Sequence, residues 1–188
     1  LGFAVHEMAV EKLKMGEYPD CDSPHGALIV YSPVVHLGGL FTALHAGIEG
    51  RVIGLLEKFD IDGWLRIVRK FKPGYIGLPP AQMRMVLDAD VPPEVFASTK
   101  SVQSGNAMLD EETRQRIQSR YGRPVLNIYG ATEYCGPIAS LTLEDHARYG
   151  ATKPGSVGRL WPQVATARIV DPASGTELPR NEIGVLSV

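Results

Sequence analysis

Short apolar runs alternate with longer amphipathic segments along the first 150 residues of the chain. Four of these runs are flanked by glycine, proline or polar residues. They are Ala27–Tyr31, Arg51–Leu56, Tyr75–Leu78 and Val125–Tyr129. Short apolar runs with such boundaries are typical of strands that are buried on both faces. The pattern therefore predicts four buried strands.

The segments between these runs repeat their apolar residues at helical spacing. The clearest example is Ile61–Phe71, and helices are also predicted at Val5–Leu13, Pro80–Leu87 and Asp110–Tyr121. In the last of these, acidic residues precede arginines, an order that complements the helix dipole. Continuous apolar strands that alternate with helices predict an α/β fold, with a mostly parallel sheet flanked by helices on both faces.

The pattern changes after about residue 150, where helical spacing disappears. Two short strand candidates, Ala165–Val170 and Ile183–Val188, are separated by the turn-rich segment Asp171–Gly175, which predicts a hairpin. We therefore expect residues 1–150 to form a central α/β subdomain and residues 151–188 to begin a small β subdomain.

Composition narrows the classes of function. The 188 residues carry a formal net charge of -2, and this lack of a basic excess argues against a nucleic-acid surface. No apolar stretch approaches the roughly 20 residues of a transmembrane helix. The two cysteines, Cys21 and Cys135, lack metal-ligand spacing, and we expect reduced thiols in a cytoplasmic protein. Peripheral attachment of the whole protein to a membrane stays open.

Ligands of open parallel sheets bind beyond the carboxyl ends of the strands, which directs attention to the loops there. In the loop Gly130–Gly136, a glycine lets backbone approach a ligand, Thr132 can bond a phosphate oxygen, and Glu133 can hold Mg²⁺. The same residue types also fit a strand followed by a solvated turn. Two further loops, Ser32–Gly39 and Ser104–Leu109, are predicted at the same edge.

Tyr129-Gly130-Ala131-Thr132-Glu133 resembles the Tyr-Gly-x-Thr-Glu signature of the adenylate-forming, or AMP-binding, superfamily. That superfamily contains acyl- and aryl-CoA synthetases, firefly luciferases and the adenylation domains of peptide synthetases. Upstream, Ser104–Leu109 is similar to the family's Ser-Gly-Gly-Ala-Pro-Leu loop, from which it departs at Asn106 and Met108.

Three further segments carry the resemblance in the expected order. Pro33–Gly39 resembles the Pro-x-x-His-x-x-Gly loop, and Pro154–Arg159 resembles the Gly-Ser-x-Gly-Arg element that precedes the family's small β subdomain. Glu182–Leu186 resembles the Gly-Glu-x-Gly-Glu-Leu strand. Matching segments that extend from residue 33 to residue 186 make the resemblance specific.

The resemblance implies a role for each matching residue. Those expected to be catalytic are Thr132, Glu133 and His36, with Glu133 ligating Mg²⁺ and His36 gating the carboxylate. The residues expected to bind the nucleotide are Gly105, Asn106, Ala107, Asn127, Tyr129, Gly130, Ala131 and Thr132, with Tyr129 stacked on adenine. The residues expected to line the acid pocket are His36, Gln103, Ser104, Gly105, Cys135 and Gly136.

The activity implied is that of an acid–CoA ligase, which uses ATP, Mg²⁺ and coenzyme A. A carboxylate attacks the α-phosphorus of ATP, and the acyl group of the resulting adenylate passes to the thiol of coenzyme A. Amino-acid-activating relatives place an aspartate in the first loop, and none occurs between Ser32 and Thr42, so an aliphatic or aromatic acid without an amine is expected. A ligase that loads a carrier protein and a non-catalytic homologue remain alternatives.

Other segments expected of the family are not found in this sequence: its phosphate loop, its Thr-Gly-Asp segment and the domain with its catalytic lysine. We therefore expect a central fragment that is inactive by itself. An uncovered sheet edge would favour its self-association.

Overall fold

The computed structural model describes residues 27–188, so the helix predicted at Val5–Leu13 lies outside the described residues. Among them, a two-stranded sheet pairs β1 (Leu28–Val30) in parallel with β2 (Ile53–Leu55). In a larger sheet, β3 (Tyr75–Gly77) and β4 (Ser101–Ser104) run parallel to each other. β4 in turn runs parallel to β5 (Val125–Ala131).

Antiparallel strands complete the larger sheet. β6 (Gly136–Ser140) pairs with β5, and β7 (Arg159–Leu160) pairs with β6. β8 (Arg168–Val170) and β9 (Val185–Ser187) form a separate antiparallel pair, which confirms the predicted hairpin. The subdomain boundary at residue 150 stays a prediction.

Five α-helices join the strands of the described part. They are α1 (Leu37–Ile48), α2 (Ile61–Phe71), α3 (Pro80–Asp88), α4 (Glu111–Tyr121) and α5 (Leu143–Tyr149). The carboxylates of Asp60 and Asp110 cap α2 and α4, each accepting a backbone N–H at 2.7 Å. The order of elements confirms the predicted α/β fold with its mostly parallel sheet.

One face of the sheets packs against α2, α3 and α4. The largest fully buried side chains in this core include Trp64 of α2, Met83 of α3 and Ile117 of α4. Phe96 lies between Trp64 and Tyr121, with ring centroids 5.8 Å and 4.2 Å away. Through these contacts, the described residues up to the end of β5 form one layer of helices packed on a sheet.

On the opposite face, α1 lies over β1 and also contacts β6. Val30 is 2% exposed and lies outside the main core, and the neighbouring helix α1 buries Ala46 completely. Further along this face, Ile53, Leu55 and Tyr75 are 44%, 70% and 36% exposed. We call this region the open face.

Two predictions of local structure were wrong. The segment Ser32–Gly39 is not all loop, because α1 begins at Leu37. β5 continues to Ala131, so the segment predicted as a loop from Gly130 begins as strand and is followed by a 3-10 turn at Thr132–Tyr134. The antiparallel hairpin to β6 draws Gly130 and Ala131 into the sheet through pairing with Pro137 and Gly136.

Among the residues that the structure describes, no helix combines the length and apolar character needed to cross a bilayer.

Candidate active site

A cleft of about 810 Å³ lies between α1 and the open face of the sheets. It extends from the carboxyl ends of β4 and β5, where Gly105 and Gly130 line it, to the amino end of β1 at Leu28. Three of the five segments that resemble the adenylate-forming family contribute to its wall at the carboxyl edge. We treat this edge of the cleft as the candidate active site.

His36 precedes α1 and lines the cleft. Its backbone N–H donates to Pro33 O at 2.9 Å, whereas its side chain makes no capping bond to the helix. The entry to α1 is tight, because a Cβ on Gly39 would meet the carbonyl oxygens of Ser32 and Pro33. The glycine therefore lets the helix start directly beside the end of β1, which places the imidazole at the cleft.

The β4 strand presents alternate residues to opposite faces. Gln103 lines the cleft, whereas Ser104 is 2% exposed and does not. Beyond the strand, Gly105 and Asn106 line the cleft, and Asn106 takes a left-handed conformation with φ 68°. Its carboxamide lies close to Gly38 at the start of α1.

The β5–β6 hairpin supplies the third wall, through Gly130, Ala131, Thr132 and Gly136. A Cβ on Gly130 would meet the carbonyl of Gly136, so the close pairing of the two strands requires a glycine there. The side chain of Thr132 makes no hydrogen bond to the described residues, and Thr132 is exposed. Its hydroxyl is available to a ligand.

Five predicted site residues lie off the cleft wall, in addition to Ser104. Ala107 and Cys135 are exposed nearby, and Cys135 ends the 3-10 turn with φ 57°. Asn127 donates to Ser156 O at 3.1 Å, which ties β5 to the segment Pro154–Arg159. Tyr129 is 36% exposed on the outer end of β5, and Glu133 is exposed beside Thr132.

The chemistry of Glu133 fits a magnesium ion bound together with a nucleotide. No cluster of three or more histidine, cysteine, aspartate or glutamate side chains capable of holding a metal occurs in residues 27–188. Mg²⁺ is usually bound through one or two carboxylates, substrate phosphates and water, rather than by a cage of protein ligands. The single exposed carboxylate next to the Thr132 hydroxyl satisfies that requirement.

Two tyrosines near the site have raised phenol pKa values. Burial raises the pKa of Tyr31 well above its ordinary value, and its hydroxyl donates to Gly77 O at 3.1 Å, linking β1 to β3. Desolvation, with Tyr129 and Glu133 close by, raises the pKa of Tyr134. Both phenols therefore stay neutral at physiological pH.

Sequence reasoning missed several residues of the cleft. Phe41, Thr42 and His45 reach it from α1, and Leu78 and Pro79 follow β3. The spacing of Leu37, Leu40, Phe41 and Leu44 is helical, but the adjacent glycines and the nearly uniform apolar character concealed it. Leu78 and Pro79 follow a strand that the pattern did predict, and the carboxyl-end rule already applied to them.

Comparison with known proteins finds 4-coumarate–CoA ligases among the relatives of this chain. The 4-coumarate–CoA ligase 2 of Nicotiana tabacum is 29% identical over 160 residues, covering 83% of this chain and 29% of the relative. The 4-coumarate–CoA ligase 3 of Oryza sativa subsp. japonica is 29% identical over 177 residues, covering 92% and 32%. The chain thus spans about a third of the length of these relatives.

Solved structures agree with the sequence relatives. Apo MatB from Rhodopseudomonas palustris superimposes with a TM-score of 0.72 at 26% identity, over 97% of this chain and 34% of that chain. The o-succinylbenzoate coenzyme A synthetase MenE of Bacillus subtilis, in complex with AMP, gives 0.71 at 20% identity, over 97% and 35%, a likeness of fold alone. The family model described as AMP-binding enzyme matches residues 4–188, and the chain belongs to that family.

Proposed function

We propose that this chain supplies the acid and adenylate site of an ATP-dependent acid–CoA ligase. The observation that carries the proposal is the convergence of three separate segments on one edge of the cleft. His36 follows β1, Gly105 follows β4, and Gly130 to Thr132 lie at the end of β5. Residues so far apart in sequence share one opening because the parallel strands end at the same edge.

The first step joins the acid to AMP. A carboxylate oxygen attacks the α-phosphorus of ATP and forms the acyl–phosphate bond, while the bond to the bridging oxygen breaks and pyrophosphate leaves. We assign His36 to the approach of the carboxylate and the Thr132 hydroxyl to the α-phosphate. Positioning and charge neutralisation dominate such phosphoryl chemistry, so no protein nucleophile is required.

Glu133 and Tyr129 act at the rim of the site. The Glu133 carboxylate would hold Mg²⁺, which neutralises phosphate charge when it is bound. Tyr129 presents a partly exposed ring at the end of β5, where we place the adenine base. Gly105 leaves room for a ligand to approach its backbone, because the atom nearest to the position of its missing Cβ is Ile128 O, 3.4 Å away.

The second step transfers the acyl group to a thiol. The sulfur of coenzyme A attacks the acyl carbonyl, and AMP leaves with the electrons of the acyl–oxygen bond. The 4-coumarate–CoA ligases among the relatives favour coenzyme A over a carrier protein as the acceptor. Because the chain spans about a third of their length, we assign both steps to the whole protein and expect none from residues 1–188 alone.

The test is acid-dependent exchange of labelled pyrophosphate into ATP by the full-length protein, with panels of aliphatic and aromatic acids. We expect exchange with some acids, and a loss of at least about a hundredfold in Glu133→Ala, since a charged ligand of the phosphate site is removed. Glu112→Ala, which removes an exposed carboxylate on α4, is the matched control and should retain activity. A folded protein that binds ATP but exchanges with no acid would instead be a non-catalytic homologue.

A further inference from the structure

The cleft continues well beyond the candidate site, to the opposite edge of the sheet. The Tyr31 hydroxyl at the end of β1 bonds Gly77 at the end of β3, so the two strands end at the same edge and Tyr75 begins at the other. Leu28, Tyr75 and Arg51 line the cleft at this far edge. Among residues 27–188, the cleft therefore continues past the site for the acid on the side away from the nucleotide.

Between its two ends the wall of the cleft is mainly apolar. Val30 and Phe41 line it, together with the polar Thr42 and Gln103. Gly77, at the carboxyl end of β3, leaves open space where a side chain would stand, with nothing within 4 Å of its missing Cβ. Such a lining suits a hydrocarbon segment, which gains free energy when it leaves water.

The far end is polar, in contrast to the middle. Glu49 lies there with a side chain 13% exposed, and it contacts Arg51 Nε at 2.6 Å and His45 Nε2 at 3.3 Å. The terminal nitrogens of Arg51 and the hydroxyl of Tyr75 make no hydrogen bond to the residues that the structure describes. Donors with unused capacity thus line the end of an apolar channel.

Resting on the proposed function, we propose that this far end recognises a hydroxyl group of the acid substrate. The carboxylate of Glu49, which pairs with Arg51 and His45, would repel a second carboxylate on the substrate. A hydroxyl can accept from Arg51 or Tyr75 and donate to Glu49. The substrate class is a hydroxylated, otherwise apolar acid.

The length of α1 sets the distance between the two polar ends. His45 lies nine residues beyond His36, which corresponds to about 14 Å along the helix axis at ~1.5 Å per residue. An extended chain advances ~3.5 Å for every three bonds, so about twelve bonds separate the carboxyl carbon from the hydroxyl oxygen. ω-Hydroxydodecanoate fits this separation.

The test compares ω-hydroxydodecanoate with dodecanoate in pyrophosphate exchange by the full-length protein. We expect kcat/KM to favour the hydroxy acid by about tenfold, because a methyl end cannot accept a hydrogen bond from the terminal nitrogens of Arg51 or from the hydroxyl of Tyr75. The pair ω-hydroxyhexanoate and hexanoate is the control for length, and neither should be favoured, because the hydroxyl cannot reach the far end.

Two variants test whether Arg51 and Tyr75 produce the preference for the hydroxy acid. Arg51→Met should bring the preference to about unity while exchange with dodecanoate persists, and Tyr75→Phe, which deletes only a hydroxyl, should reduce it at least twofold. Arg69→Met, on the exposed side of α2, should keep the full preference. If Arg51→Met does not fold, Tyr75→Phe decides.

The outcomes separate the inference from the function on which it rests. Exchange with dodecanoate at least equal to that with the hydroxy acid overturns the inference and leaves the ligase function intact. A preference that survives in Tyr75→Phe and in a folded Arg51→Met also overturns it. Absence of exchange with every acid overturns both.

Discussion

Tyr129 is the residue whose proposed role depends most on its ring rather than on its hydroxyl. It ends the regular part of β5 beside a register irregularity between Tyr129 and Gly130, with 36% of its surface exposed. An aromatic ring held on a strand end offers a flat surface to a base.

We predict that Tyr129→Ala raises the KM for ATP in the full-length protein by about tenfold or more, since base stacking on an aromatic ring contributes ~1–3 kcal/mol. Tyr129→Phe keeps the ring and should stay within about twofold of the wild type. Steady-state exchange at varied ATP concentration gives both values. Equal impairment in the two variants would assign the role to the hydroxyl and contradict stacking.

At the scale of elements, the sequence predicted α2 from its apolar spacing and α4 from acidic residues that precede arginines. The structure adds that the carboxylates of Asp60 and Asp110 cap the two helices. α5 and the pairing of β6 were not predicted. Their segments carry weak local signals, and the partner of Gly136–Ser140 is fixed by the hairpin with β5 rather than by its own composition.

Helix α1 offers a matched pair of glycines. A Cβ on Gly39 would meet backbone atoms of Ser32 and Pro33, whereas a Cβ on Gly47 would meet nothing within 4 Å. We predict that Gly39→Ala destabilises the protein by about 1–3 kcal/mol through overpacking. Gly47→Ala should stabilise it by about 0.5–1 kcal/mol through helix propensity.

Chemical denaturation of the full-length protein measures both glycine variants. Because Gly39 sets where α1 starts, Gly39→Ala should also weaken acid-dependent exchange by displacing His36. Gly39→Ala as stable as Gly47→Ala would show that the start of α1 is not held as tightly as described.

For the whole molecule, we expect the open face to govern association. Ile53, Leu55 and Tyr75 expose apolar surface on β2 and β3, and exposed apolar strands favour pairing with other copies. We predict that the isolated 188-residue chain self-associates as its concentration rises, and that Leu55→Lys reduces this. Ile183→Lys, which alters a fully exposed residue near β9, is the control.

Light scattering over a wide range of concentration tests this prediction. A monomer at every concentration, or equal effects of the two lysine variants, would contradict a role for the open face.

The architecture as a whole determines how much of the site could be predicted from the sequence. The parallel strands made it foreseeable that the loops at His36, Gly105 and Thr132 would share one edge. The lateral extent of the cleft was not foreseeable. It depends on α1 lying over β1 and leaving β2 and β3 uncovered, an outcome of packing that no local pattern carries.

We propose that the cleft holds an acyl adenylate, with the nucleotide at the carboxyl edge and the acyl chain along α1. The most direct measurement is a crystal structure of the full-length protein with a non-hydrolysable acyl-adenylate analogue. We predict adenine against Tyr129, the phosphate substitute beside Thr132, and the chain running past Phe41 toward Arg51. An analogue that occupies another part of the protein and leaves this cleft free would show that the cleft is not the adenylate site.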